Sequence, residues 1–384
     1  METMRNRIQK HIQGWDAIVD HRTGTHGDNL TAQWLSDELR RAGTEPVIEH
    51  FDFRRRVLHE CYVSCADNYA KGVPLFDGGY TDANGVQGLL SHIDQSQGIG
   101  LTPFAPTPGH PSTQRLEQAR RDNVHQAIVA VASGELVRPG LSLLNADHYT
   151  KPYGPPVLQV ATEHQAWLEN AQRAHERIKL VAHASIEQTQ ASNVQATIRG
   201  SNTRLAPLVI MTPRSAWWTC TSERAGGIAL WLECAQHFAT HRPERTVHLT
   251  ANTGHELGHV GLDRYLLSNP KLVSQAHAWV HLGANFAAQD SDLLFQASTP
   301  ELMQAGLTAL SKQGINSPTL TPVGELPLGE ARNIHDGNGQ YISLLGNNPL
   351  FHHPDDRWPH AVDLEKTLAL NQAMLSIVDQ LANR

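Results

Sequence analysis

After Ser192 the chain repeats an order of apolar strand, loop and helix, and that order restricts the fold more than any other feature. Residues 205–212 read as a buried strand, 226–239 as a helix, 246–251 as a strand and 257–267 as a helix. Strands at 278–286 and 293–296 and helices at 301–312 and 364–382 continue the series. Continuous apolar runs suit strands covered on both faces, so the pattern predicts an α/β fold with a mostly parallel central sheet flanked by helices. Active groups in such sheets gather at the carboxyl ends of the strands. One rim should therefore carry residues 212–223, 252–259, Asn285 and the loop after Leu350.

The first half has a different texture. Residues 4–19 and 28–42 look helical; in the second, Leu30, Trp34, Leu35 and Leu39 share a face, Asp28 offers an N-cap and Gly43 a stop. A strand follows at 46–53. From 58 to 187 the chain breaks into short alternating runs, such as 126–132 and 156–161, separated by Pro/Gly-rich stretches such as 101–111 and interrupted by a helix at 163–175. We expect a main body of residues 1–56 and 191–384 and a β-rich insert of residues 57–190. No internal repeat is visible.

With 40% hydrophobic and 18% charged residues, 384 residues can bury a sizeable core. A net charge of −7 spread over interspersed acids and bases argues against nucleic acid or an anionic membrane as partner. The run Arg54-Arg55-Arg56 is expected to be a solvated strand edge. No stretch has the length and apolarity of a secretory signal or membrane helix, and Cys61, Cys65, Cys220 and Cys234 form neither a CxxC pair nor a disulfide framework. The expectation is a cytoplasmic protein with free thiols; nothing in the sequence indicates its oligomeric state.

The sharpest local motif is Gly254-His255-Glu256-Leu257-Gly258-His259, which satisfies H-E-x-x-H. On a helix this spacing puts two imidazoles on one face to bind zinc, with the glutamate between them activating water. A zincin protease would show that continuous helix with Glu256 outside the ligand set. Here Gly258 lies inside the motif, at a strand-to-helix junction, and Tyr265 stands where the extended motif has a third histidine.

The longer segment Arg245-Thr-Val-His-Leu-Thr-Ala-Asn-Thr-Gly-His-Glu-Leu-Gly-His-Val-Gly-Leu-Asp-Arg-Tyr-Leu266 resembles a stretch of the zinc aminopeptidases and their glutaminyl-cyclase relatives, bacterial leucyl aminopeptidases among them. There a strand runs into Glu-Glu-x-Gly, the first glutamate being the general base and the second a zinc ligand; His255 and Glu256 occupy these places. Residues 24–52 resemble that family's first helix and strand, and 57–190 its protease-associated insert. Asn193-Val-Gln-Ala-Thr-Ile-Arg-Gly200 resembles the strand re-entering the core, and Phe351-His352-His353-Pro354-Asp355-Asp356 the loop with the last histidine ligand. Several ligand positions have changed: Met211-Thr-Pro-Arg-Ser-Ala-Trp217 replaces the first histidine and a nearby aspartate, Ser222 beside Glu223 the bridging aspartate, and Gly283 a later aspartate. Glu256 and His352 survive.

The resemblance thus implies a metal-dependent hydrolase of a small amide or peptide-like bond with a remodelled, mononuclear centre. Its metal ligands would come from His255, Glu256, His259 and His352, with Glu223 a further candidate and Glu256 or His255 as the catalytic base. Such donors suit Zn²⁺, Fe²⁺, Mn²⁺ or Co²⁺, and one divalent transition ion, with Zn²⁺ first, is the expected cofactor. The expected partner is a small-molecule or short-peptide substrate. Arg214, Arg332 and Asp336 are candidate substrate contacts, Arg214 as a fixed positive charge in place of a second metal and Arg332 through its bidentate fork. His353 and Cys220 are expected to be structural, and Trp217 and Trp218 to pack. A metal-free, non-catalytic binding protein of the same fold is the main alternative.

Overall fold

The computed structural model describes residues 2–95, 98–107, 109–133 and 138–383. Part of the 101–111 stretch, Pro108, lies outside them. Two helices, α1 (Met4–Asp16) and α2 (His26–Arg41), precede a 20-residue strand, β1 (Pro46–Cys65). Thr25, not Asp28, caps α2: its hydroxyl accepts from Asp28 N, while the Asp28 carboxylate is committed elsewhere in the core. Then come β2 (Asn68–Pro74), β3 (Val86–His92), β4 (Ile99–Phe104), α3 (Pro111–Asp122), β5 (Ala127–Ala132), β6 (Val157–Val160), α4 (Gln165–Arg173) and the long β7 (Arg177–Ile198). The remainder is β8 (Leu208–Pro213), α5 (Thr221–Thr240), β9 (Val247–Asn252), α6 (Val260–Ser268), α7 (Leu272–Gln275), β10 (Ala278–Leu282), β11 (Leu293–Ala297), α8 (Pro300–Lys312), β12 (Thr319–Leu320), α9 (Ala331–Asp336), β13 (Tyr341–Gly346) and α10 (Leu364–Ala382).

The sheet is mixed, which corrects the mostly parallel expectation. Strands β9, β8, β10 and β13 run parallel at its centre, but β7 joins β9 and β11 joins β13 antiparallel. A parallel crossover needs roughly a dozen residues or more. Segments 199–207 and 283–292 are shorter and carry no helix, so the strands they connect reverse direction.

Strands β1 and β7 pair antiparallel from Pro46↔Ala196 to Ser64↔Lys179. Their distal halves close a ring of strands in the order β1, β2, β6, β5, β4, β3, β7, while the proximal half of β7 continues into the central sheet. The two strand systems thus share a continuous ribbon instead of meeting at a linker.

The main core lies between one sheet face and α1, α2, α5, α8 and α10. Helix α5 is buried on nearly every side, which explains its apolar sequence without a polar stripe. Gly226 and Gly227 allow that depth: a Cβ on Gly226 would stand 2.4 Å from Ala287 Cβ, and one on Gly227 2.8 Å from Leu282 O. Their absence brings the first turn of α5, with Glu223 and Arg224, against the carboxyl end of β10.

Candidate functional site

Five segments converge on that rim. Strand β8 leads into Arg214 and Ser215, β9 into the H-E-x-x-H segment, and the left-handed Cys220 (φ 43°) starts α5. The approach to α9 brings Glu330, and the loop after β13 brings His352 and Asp356, all three fully buried.

The H-E-x-x-H segment is not helical, so the zincin alternative is overturned. Gly254 (φ 75°) turns the chain out of β9, a 3₁₀ turn covers His255–Leu257, and Gly258 (φ 75°) and His259 (φ 62°) break it before α6. At Gly258 a Cβ would lie 2.5 Å from Asp147 O, so the crossing backbone enforces the break. The His255 and His259 rings stack at 4.9 Å, and each faces a different partner: Glu330 Oε1 at 3.4 Å from His255 Nδ1, and Asn333 Oδ1 at 2.7 Å from His259 Nδ1.

Glu256 meets a cation already in place. Arg224 Nη2 lies 2.7 Å from Glu256 Oε1 and 2.8 Å from Glu223 Oε1, and Arg224 Nε donates to Ser215 O at 2.7 Å. Ser215 Oγ donates to Glu256 Oε2 at 2.6 Å and accepts from His255 N. Burial pushes the Glu256 carboxyl up, but Arg224 and His255 outweigh it and hold it below its ordinary range. Glu223 likewise lies at about 2 against the cost of burial, with Arg224 the largest opposing charge.

His352 Nδ1 lies 2.6 Å from Leu143 O, so it must carry the proton and donate. Its Nε2 then points at Glu223 Oε1, 3.4 Å away, with no hydrogen bond to any group. Neither Glu223 oxygen accepts a hydrogen bond, despite the nearby guanidinium. An imidazole fixed by a carbonyl through one nitrogen, with the other left bare beside a carboxylate, is the usual arrangement of a metal-ligating histidine. Among the described residues the one group of three or more donor side chains with atoms within 4.8 Å of one another is Cys220, Glu223 and Asp356. Asp356 also caps α5, accepting from Ser222 N and Glu223 N.

The fit to a metal is therefore uneven. Arg224 pairs with Glu223 and Glu256 alike, but around Glu256 both oxygens are already taken by hydrogen bonds, Oε1 from Arg224 and Oε2 from Ser215. Around Glu223 the bare His352 Nε2, the unbonded carboxylate and the neighbouring Cys220 and Asp356 suit a single cation.

Charge sharpens the point. Glu223 and Glu256 share the Arg224 guanidinium, and Glu330 and Asp356 are buried at the same rim. Burial pushes the Glu330 and Asp356 carboxyls up to about 7. It also drives His255 and His281 well below the ordinary imidazole range, and it raises the Cys220 thiol well above its own, with Glu223 and Asp356 adding to the rise.

The predicted residues thus divide. Glu256, His255 and His352 come to the rim, and His259 stands beside it. Arg214 is buried in an ion pair with Asp28, while Arg332 and Asp336 are exposed on α9. Sequence reasoning missed Arg224, Ser215, Glu330 and Asp356. Arg224 left a signal: an arginine in the first turn of an otherwise apolar helix must be buried, and a buried arginine needs carboxylates.

No protein-family model and no curated protein matches the sequence. Solved structures do match the fold. BSAP, a zinc aminopeptidase from Bacillus subtilis, aligns at 14% identity with a TM-score of 0.79, over 99% of this chain and 95% of its own. An aminopeptidase from Aneurinibacillus sp. aligns at 16% identity and a TM-score of 0.71 over 99% and 93%. A peptidase M28 precursor from Shewanella amazonensis aligns at 14% and 0.75 over 99% and 97%. The fold is that of the zinc aminopeptidases. Among the described residues this fold carries one candidate metal-binding cluster, that of Cys220, Glu223 and Asp356. Among the described residues no helix is long and apolar enough to cross a membrane.

Part of the rim is roofed by segment 139–149. Leu143 O holds His352, Ala146 N donates to Glu256 O at 2.8 Å, and Pro139 O faces His353 Nε2 at 3.1 Å.

Proposed function

We propose that the protein is a hydrolase of the aminopeptidase type that cleaves a small amide or peptide-like bond using one divalent cation, Zn²⁺ first, in place of a metal pair. The supporting observation is at Glu223: it shares the Arg224 guanidinium with Glu256, neither of its oxygens accepts a hydrogen bond, and the unbonded His352 Nε2 faces it. Glu223 and His352 would hold the ion, with Cys220 and Asp356 beside them. When bound, it would supply a Lewis acid and lower the pKa of a coordinated water. Glu256, tied to Arg224 and Ser215, holds the buried guanidinium in place, and that fixed positive charge would favour an oxyanion developing at the substrate carbonyl. Burial keeps His255 neutral, so in this reading it does not store a proton but relays one toward Glu330, whose Oε1 lies 3.4 Å from its Nδ1. In this reading residues 57–190 act as an insert that roofs the site through segment 139–149, and residues 1–56 and 191–384 form the catalytic body.

Metal analysis of protein purified without chelator tests the proposal. About one divalent ion per chain is expected in the wild type, with loss in both Glu223→Gln and His352→Ala. Protein that stays metal-free when loaded with Zn²⁺ would instead favour a non-catalytic binding protein. One observation supports that second reading: Arg224 already bridges Glu223 and Glu256.

A further inference from the structure

A cavity of ≈ 190 Å³ opens between the strand ribbon, the ring and the rim, with Glu256 and Leu257 among its lining residues. Its remaining wall combines aromatic rings with arginines. Phe53 stacks on Tyr149 at 5.5 Å, and Phe76 tilts against Trp217 at 5.0 Å. Arg22, Arg55 and Arg56 line the same space. Two of the triplet expected to form a solvated edge are therefore half-buried in a cavity wall, and only Arg54 is exposed.

The arginines differ in how far they are neutralised. Arg22 is paired with Asp20 at 2.7 Å, and the Arg55 head pairs with Glu187 while its buried Nε has no hydrogen-bond partner. Arg56 lies over the Tyr80 ring at 5.0 Å and forms no ion pair among the described residues. The wall thus holds a surplus positive charge and an unused buried N–H donor beside flat apolar surfaces. Glu256, an ionised carboxylate, lines the same cavity. A monoanion held away from Glu256 suits this field better than a dianion close to it. The volume admits an amino-acid-sized group.

We infer that this cavity is a carboxylate-binding subsite, in which Arg56 and Arg55 Nε hold the carboxylate of an aromatic or bulky apolar amino-acid unit. As the subsite of a substrate, it rests on the hydrolase reading above; as a binding site, it stands without it. The substrate class is then an amide or short peptide carrying a free carboxylate next to an aromatic side chain. Its reactive bond points toward Glu256 and the rim.

Calorimetric titration of the full-length protein with N-acetylphenylalanine, N-acetyltryptophan and N-acetylleucine, with their carboxamides and with inorganic phosphate, tests this independently of turnover. At least one acid should bind about tenfold or more tighter than its carboxamide, as expected for loss of a charge-assisted hydrogen bond. Arg56→Met should remove that preference while leaving the thermal midpoint unchanged, and Arg55→Lys should reduce it. Equal binding of acids and carboxamides, no binding of any acid, or an intact preference in Arg56→Met would overturn the inference. Phosphate binding as tight as that of the best acid would overturn the carboxylate assignment in favour of a general anion site. A selective acid site in protein that takes up no metal would overturn the hydrolase reading alone.

Discussion

Two fully buried arginines lie ten residues apart and illustrate opposite uses of the same side chain. Arg214 is saturated: Nη1 donates to Asp28 O and Oδ1, and Nε and Nη2 donate to Ser192. One cation meets one carboxylate, and the pair ties the start of α2 to β7 and the end of β8. Arg224 is unsaturated on both counts, since its Nη1 has no partner and two carboxylates, Glu223 and Glu256, share its one charge. A balanced buried pair is architecture. An unbalanced one at a strand's carboxyl end marks a place where charge remains to be supplied.

The largest expected effect breaks this comparison directly. Removing one partner of a buried pair costs about 3–5 kcal/mol, because the other charge is left without compensation. Arg214→Met and Arg224→Met should therefore both be strongly destabilised in urea unfolding. They should differ in rescue. Zn²⁺ at about a hundred times its dissociation constant stabilises a native site by about 2.7 kcal/mol. A gain beyond the wild type's should appear in Arg224→Met, where Glu223 and Glu256 are both freed to take a cation, whereas Arg214→Met should gain no more than the wild type. Equal responses would mean that the two arginines are equivalent.

A smaller effect concerns pH. Glu330 in the folded protein has its carboxyl raised to about 7 by burial, so the folded state holds a proton that the unfolded chain has released. Its contribution to stability is complete below the unfolded carboxyl range and is lost as pH rises through about 7. The loss is about 3 kcal/mol by pH 8 at roughly 1.4 kcal/mol per pKa unit. Glu330→Gln should flatten the stability profile between pH 5 and 8, as measured by urea midpoints at each pH. Glu223 works in the opposite sense: held at about 2, it stabilises above the ordinary carboxyl range and loses that contribution only as pH falls through about 2. A Glu330→Gln profile as steep as the wild type's would remove Glu330 from the set of poised groups.

The fold was more legible in the sequence than the site because the two are written differently. Strands β8 and β10 and helix α5 are largely apolar runs, and α8 and α10 carry an apolar face at helical spacing, so local pattern is enough to find them. The parallel core was readable, but its antiparallel flanks were not, because direction depends on connection length and not on the strand's own residues. The H-E-x-x-H motif drew attention to the correct loop and suggested the wrong local geometry. Gly254 and Gly258 at positive φ turn a one-turn spacing into two stacked rings. Glu330 and Asp356 were hidden for another reason: their chemistry comes from depth of burial, and nothing next to them in the chain announces it.

The smallest expected effect compares Glu330 with its neighbours in the same segment. Arg332 and Asp336 were natural candidates for holding a substrate, since a free arginine fork on a polar loop suits a carboxylate. Both are exposed on α9, whereas Glu330 and Ala331 turn inward. Surface changes away from caps and buried networks generally stay within about 0.5 kcal/mol. Arg332→Ala and Asp336→Ala should therefore leave the urea midpoint, metal content and N-acetyl amino acid affinity close to those of the wild type. A several-fold loss of affinity in Arg332→Ala would place a second carboxylate contact on α9 and shift the recognised end of the ligand away from Arg56.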